Sequence, residues 1–257
     1  MTMTIVFVHG MYMTPLCWEG WKGRFESRGF RCLVAGWPGR DEPVETLRKK
    51  HPDPQLGTLN LRAVVDRYVS LIRGLDEKPL IVGHSMGGLV VQLLLQEDLA
   101  SAAVAIDSAP PQGVFSARWS FLKSNWPHIN PFAPQGNPIE MSFKRFQYTF
   151  VNGLPLEEQK AAFERYVVPE SRRVPAQSLT SAARVDFKKA GAPLLMIAGA
   201  SDHIIPAGLV RSNFARYRRP GSLTELKEFP GRVHFIIGQK GWEEVADYAA
   251  AWLERAR

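Results

Sequence analysis

The sequence predicts an α/β fold: a mainly parallel, doubly wound sheet of about six strands, broken by one mostly helical insertion. Three observations predict it. Short apolar blocks recur, most of them ended by a turn residue; helix-period stretches separate them; and from about residue 111 to 188 the alternation stops. Strands that alternate with helices are joined by crossovers, which makes neighbouring strands parallel and puts helices on both faces.

The strand blocks are "TIVFVHG" (4–10), "FRCLVAG" (30–36), "PLIVGHS" (79–85), "AAVAID" (102–107), "PLLMIAG" (193–199) and "LTELKEF" (223–229). Most are continuous apolar runs, the pattern of strands covered on both faces. The helix-period stretches are "CWEGWKGRFESRG" (17–29), "LRAVVDRYVSLIRGL" (61–75), "MGGLVVQLLLQEDL" (86–99), "AGLVRSNFARY" (207–217) and "GWEEVADYAAAWLERA" (241–256). The tract that breaks the alternation carries Pro127, Pro131, Pro134, Pro138, Pro155 and Pro169 with many aromatics, among them Trp119, Phe121, Trp126, Phe146 and Phe150. That aromatic content excludes a disordered linker. Within it "PLEEQKAAFERYVV" (155–168) reads as a helix, with Pro155 in the first turn and Glu157 and Glu158 near its positive end. The expected organisation is a core of residues 1–110 and 189–257 and a cap of residues 111–188.

With 257 residues, 45% of them hydrophobic, the chain can bury a full core, and one domain with an insertion suits its length. The net charge of +7 raises nucleic acid or anionic lipid as partners, but the basic residues are scattered apart from Arg48, Lys49 and Lys50 and a weak group at Arg216, Arg218 and Arg219. A polyanion stripe needs clustering on one face, so these read as solvated surface and no nucleic acid is expected. Cys17 and Cys32 are too few for a disulfide framework and read as free thiols in a reducing compartment. The first eight residues lack a basic n-region, and no apolar run approaches the roughly 18 residues of a membrane span. The expectation is a cytoplasmic monomer or homodimer without a membrane span, acting on a small molecule.

The chemistry starts at "GHSMGG" (83–88), which contains G-x-S-x-G. The string alone is weak, but it begins where the strand "PLIV" ends and finishes where a helix begins, the setting of a nucleophile elbow. There Gly83 and Gly87 have a steric reason, since a Cβ on either flank would meet the crossing strand or helix, and Ser85 stands strained over the carboxyl end of the sheet. A serine hydroxyl needs a base, and there are six histidines to rank. His84 is turned away from the hydroxyl by the sharp turn. His51 and His128 lie in proline-flanked irregular segments and read as ordinary surface or cap residues. His203 adjoins Asp202 in "AGASDHIIP", but consecutive turn residues splay apart, so it reads as a loop-packing or substrate-edge residue. His234, in "FPGRVHFIIG", follows the last strand, where Gly231 lets a loop swing back over the sheet. Asp202 and Asp107 both stand at strand ends as candidate acids.

With these residues the chain resembles the α/β-hydrolase superfamily over nearly its whole length: strand register, elbow, inserted cap, and the order Ser85, Asp202, His234. The resemblance implies that Asp202 is the acid and His234 the base, with Asp107 the rival because some members take their acid from the earlier strand. It implies an oxyanion hole of the Met86 and Met11 N–H groups, Tyr12 being the weaker alternative, and a structural role for His9 in the loop after the first strand. Larger members begin with an antiparallel strand pair that this chain lacks, hence about six strands. Tyr12, His84, Trp119 and Trp126 are candidate substrate contacts, although most cap aromatics are expected to form the cap's own core. The implied activity is cleavage of an apolar acyl or aryl carboxylic ester, carboxylesterase- or lipase-like, without cofactor or metal. Carbon–carbon hydrolysis, lactone opening, cofactor-free haloperoxidase or perhydrolase chemistry and hydroxynitrile cleavage use the same triad. A binding protein that kept the fold and lost turnover is the alternative from another class.

Overall fold

In the computed structural model the six apolar blocks become six strands: β1 (Thr4–Val8), β2 (Arg31–Val34), β3 (Leu80–His84), β4 (Ala102–Ile106), β5 (Leu194–Gly199) and β6 (Thr224–Phe229). They form one sheet in the order β2-β1-β3-β4-β5-β6, with every neighbouring pair parallel. The structure describes residues 2–130, 132, 134, 136–218 and 221–256, of residue 129 only the backbone. Pro131 and Arg219, both used above, lie outside the described residues.

Every residue of β3, β4 and β5 is buried, which is why their sequences are apolar without alternation. β6, at the edge, carries Thr224, Glu225, Lys227 and Glu228 and is only partly covered. The chain enters at β1, runs outward to β2 and returns to β3, so the order reverses between β1 and β3. Such a switch point opens a crevice at the carboxyl ends of the strands, the usual ligand site of open α/β sheets.

The foreseen helices are α1 (Glu19–Glu26), α4 (Leu61–Arg73), α5 (Met86–Gln96), α8 (Leu156–Tyr166), α10 (Ala207–Phe214) and α11 (Trp242–Arg255). α5 packs on β3 and β4 and is buried along almost all of its length, as a helix apolar on all sides must be. α4 buries only Leu61, Val64, Val65, Tyr68 and Ile72, one face at helical spacing, and starts at Asn60, whose side chain accepts from the Ala63 N–H at 3.0 Å.

Five helices are additional to the sequence expectation: α2 (Val44–Lys49), α3 (Pro54–Thr58), α6 (Trp119–Ile129), α7 (Phe143–Thr149) and α9 (Arg173–Gln177). Most are too short for a visible period, and α6 contains Pro127 near its end. Pro155 caps α8 from outside rather than standing in its first turn. Arg48 also departs from expectation. Its guanidinium donates to the carbonyls of Phe163 and Val167, both at 2.8 Å, and of Glu164 at 3.0 Å. These are carbonyls of the last turn of α8 and the residue after it, where carbonyls run short of helix N–H partners, and that of Phe163 also accepts the Val167 N–H at 3.2 Å, so Arg48 is a clasp and not solvated surface. Cys17 and Cys32 are buried free thiols. Among the described residues no helix is long and apolar enough to cross a membrane.

Candidate active site

Ser85 joins β3 to α5 with φ 58° and ψ −121°, a conformation an L-residue holds only when its surroundings impose it. Its N–H donates to the Ile106 carbonyl at 2.9 Å, and its carbonyl accepts from Gly88 and Ala109, both at 2.9 Å. The turn is tight enough that a Cβ on Gly83 would run into the Gly87 carbonyl, and one on Gly87 into the Val8 carbonyl of β1. Both glycines are therefore required by close approach.

Three elements converge there. His234, on the loop after β6, has its Nε2 2.9 Å from Ser85 Oγ and its Nδ1 2.6 Å from Asp202 Oδ2. Asp202, after β5, also accepts on Oδ1 from the N–H groups of Ile204 at 2.6 Å and Ile205 at 2.9 Å. A carboxylate only accepts, so His234 carries its proton on Nδ1 and turns the Nε2 lone pair to the serine hydroxyl. His84 lies beneath, fully buried. Its Nε2–H donates to the His234 carbonyl at 2.8 Å, and its pKa is well below the usual range, first because of burial and then because of His234. Phe150 covers the other side, its ring edge-on to His234 at 5.0 Å.

The N–H of Met86 is the first of α5 and has no partner within the helix. Tyr12 N–H is committed to Glu170 Oε2 at 2.9 Å, and Glu170 pairs through Oε1 with the buried Arg40 at 2.8 Å. Tyr12 N–H is therefore not free to meet a ligand. Met11 and Met86 both line the cavity beside Ser85, with Phe121, Met141, Phe150 and Ile205 among the other lining residues. Its volume is about 70 Å³. A larger hollow of about 490 Å³ at the amino ends of the strands, lined by Thr4, Lys78 and Ser101 among others, lies far from this chemistry.

None of the four residues expected at the substrate lines this cavity. Trp119 and Trp126 are 74% and 57% exposed and do not line the cavity. The residues of α6 that do are Phe121, Ser124, Asn125 and His128, spaced i, i+3, i+4 and i+7 on one face, with the tryptophans elsewhere on the helix. Tyr12 is buried behind the wall with its hydroxyl 3.2 Å from His128 Nε2, and His84 is buried under His234; neither lines the cavity. The helical stripe was the signal that could have found the α6 residues, and Pro127 hid it.

His128 is therefore no ordinary surface residue. Arg145 donates to its Nε2 at 3.3 Å, so that nitrogen is a lone pair and the ring is neutral; burial, then Arg145 and Arg172, push its pKa down to about 3. His9 is a fixed part of the loop: it donates from Nδ1 to the Gly10 carbonyl at 2.8 Å, accepts the Trp37 N–H at 3.2 Å, and has its pKa lowered by burial to about 3. His203 donates to the Tyr148 carbonyl at 2.9 Å, away from Ser85. Asp107, the rival candidate acid, is fully buried beside Asp202. His84, Asp107 and His234 each offer an atom within 4.8 Å of the others, but both His234 ring nitrogens and His84 Nε2 are already engaged in hydrogen bonds.

The sheet order, the strained serine at the switch point and the converging histidine and aspartate define the class, and the sequence agrees. A family model, the alpha/beta hydrolase family, matches residues 5–248, and the chain belongs to that family. No curated protein matches the chain. Among solved structures it is similar to a Paleococcus ferrophilus monoacylglycerol lipase (TM-score 0.70, 20% identity, 99% of this chain and 95% of that one). It is also similar to polyneuridine aldehyde esterase (TM-score 0.70, 17% identity, 99% and 100%) and to tomato methylketone synthase I complexed with 2-tridecanone (TM-score 0.72, 14% identity, 100% of both chains).

Proposed function

We propose that this chain is a serine hydrolase that cleaves a carboxylic ester through an acyl-enzyme, residues 111–188 acting as a cap over a core of 1–110 and 189–257. The observation that carries the reading is the continuous relay from Ser85 through His234 to Asp202, at 2.9 and 2.6 Å, opening on an apolar cavity. His234 takes the hydroxyl proton through Nε2 as Ser85 Oγ attacks the ester carbonyl, while Asp202 fixes the tautomer and stabilises the imidazolium. The Met86 and Met11 N–H groups receive the oxyanion. His234 then protonates the departing alcohol, and water, activated by the same histidine, releases the acid and regenerates Ser85.

The cavity beside Ser85 is small, about 70 Å³, which favours a short acyl group such as acetyl or propionyl unless the cap moves. Two of the similar structures are named as a lipase and an esterase, which supports an ester; the third, complexed with 2-tridecanone, keeps ketone-related chemistry in view.

The test is a series of p-nitrophenyl esters of increasing acyl length, run beside a diketone, a lactone and a cyanohydrin, with a fluorophosphonate probe on the parent and on Ser85→Ala. The expected result is turnover greatest for the short esters and labelling that disappears in the variant. Cleavage of the diketone or cyanohydrin without ester turnover would replace the reaction. Absence of labelling would point to a binding protein.

A further inference from the structure

Asp107 is a buried acid to which the ester mechanism gives no task. It follows β4 directly with φ +40°, in the left-handed region, where a side-chain-bearing residue is strained and such strain collects at working sites. Its Oδ1 accepts the Gly199 N–H at 2.7 Å, and among the described residues its Oδ2 has no donor. Its carboxyl lies beside that of Asp202, near enough for each to feel the other's charge. Two carboxylates can only accept, so a bond between these groups requires that one of them keeps its proton.

The surroundings decide which one. Asp202 receives three N–H donors, from Ile204, Ile205 and His234, and is held as the anion. Asp107 receives one. The titratable groups that face Asp107 are Asp202, His84 and His234. His84 supplies no positive charge, because burial keeps it neutral with its proton on Nε2. Charge settles where the donors are, and the proton goes to the oxygen without one.

We infer that Asp107 is a neutral carboxylic acid that donates from Oδ2 to the Asp202 carboxylate, and so acts as a positioning residue for the Asp202–His234 pair. Burial, and then the charge of Asp202, push the Asp107 carboxyl well above the usual carboxylate range, in agreement with this. The hydrogen bond fixes the rotation of Asp202 and draws charge from it, which limits how strongly Asp202 holds the imidazolium. The kinetic consequence rests on the acyl-enzyme reading; the protonation state does not.

The test compares the parent with Asp107→Asn and Asp107→Leu. An infrared difference spectrum, parent minus Asp107→Asn at mildly alkaline pH, should contain the band of a protonated carboxylic acid. Its absence overturns the inference, whatever the enzyme hydrolyses. In Asp107→Asn the amide can accept from Gly199 and donate to Asp202, so kcat/KM should stay within about threefold of the parent with an unmoved pH profile. In Asp107→Leu the donor is gone. Asp202 then holds the imidazolium more tightly, so the rising limb of kcat/KM should move to higher pH, and its rotation is no longer fixed, so kcat should fall roughly tenfold at unchanged KM, the effect of one hydrogen bond to a charged group. If Leu is not accommodated in the fold, the infrared band and Asp107→Asn still decide: a loss in Asp107→Asn as large as that in Asp202→Asn identifies Asp107 as the ionised acid and overturns the assignment.

Discussion

Below the cavity, Ser85 and Asp202 are held by main chain, Ser85 by Ile106, Gly88 and Ala109 and Asp202 by the N–H groups of Ile204 and Ile205, while the His234 carbonyl accepts from the buried His84 ring. Above it, Phe121, Ser124, Asn125 and His128 ride on one face of α6, whose bonds to the rest of the molecule run through side chains, such as Ser124 to the His203 carbonyl and Asn125 to the Ile204 carbonyl. Main-chain anchoring at strand ends fixes position to a fraction of an ångström, whereas a helix docked through side chains can shift and repack. On the acyl-enzyme reading, the floor sets the rate and the roof which acyl group enters.

The largest effect should come from the floor. Ser85→Ala is expected to remove about six orders of magnitude of kcat, as loss of a triad serine does elsewhere. Retention of even a tenth of the activity would exclude an acyl-enzyme. Asp202→Asn should cost on the order of 10⁴ in kcat by presenting the wrong histidine tautomer. If Asp107→Asn instead proves the damaging change and Asp202→Asn is mild, the acid belongs to β4. His203→Ala, one residue from Asp202, should keep most of the activity, because that ring bonds to Tyr148.

The same division explains what the sequence makes legible. Strands buried on both faces, such as β3, β4 and β5, have to be continuous apolar runs, and a turn as tight as that around Ser85 excludes a Cβ at Gly83 and Gly87, so both leave local marks. The roof leaves few. Pro127 suggested an irregular segment where the helix continues, and the large tryptophans drew attention from Phe121, which is the residue facing in. The Arg40–Glu170 pair joins positions 130 residues apart, and Tyr12 to Glu170 spans 158, so no local pattern could announce them. Asp107 was visible as a candidate acid, but its contact with Asp202 depends on the pairing of β4 with β5, which periodicity does not specify.

The roof should respond more mildly and in a different parameter. Phe121→Ala removes the ring that closes the cavity. The expected result is a KM for p-nitrophenyl acetate raised about tenfold, a gain for longer acyl chains, and kcat within a few-fold, as when binding shared by ground and transition states is removed. A fall in kcat matching that of Asp202→Asn, with acyl preference unchanged, would show that roof and floor are not separable.

The smallest effect concerns stability, and it gives the two sides opposite signs. His128 in the roof has a folded pKa of about 3 against 6.5 when unfolded, so between those values the unfolded chain binds a proton that the folded one refuses. Its contribution is therefore complete above about pH 6.5 and drains away as pH falls towards 3. Asp107 in the floor has its folded pKa raised, so its contribution is complete below the unfolded value of 3.8 and is lost as pH rises, when the unfolded carboxyl ionises and the buried one does not. Urea midpoints measured from pH 4 to 8 should separate them. His128→Gln should flatten the decline on the acid side. Asp107→Asn should gain stability relative to the parent at neutral pH compared with pH 4. A parent-like slope in both variants would mean that neither group carries its burial into the folding equilibrium, and the contrast between roof and floor would then be one of position alone.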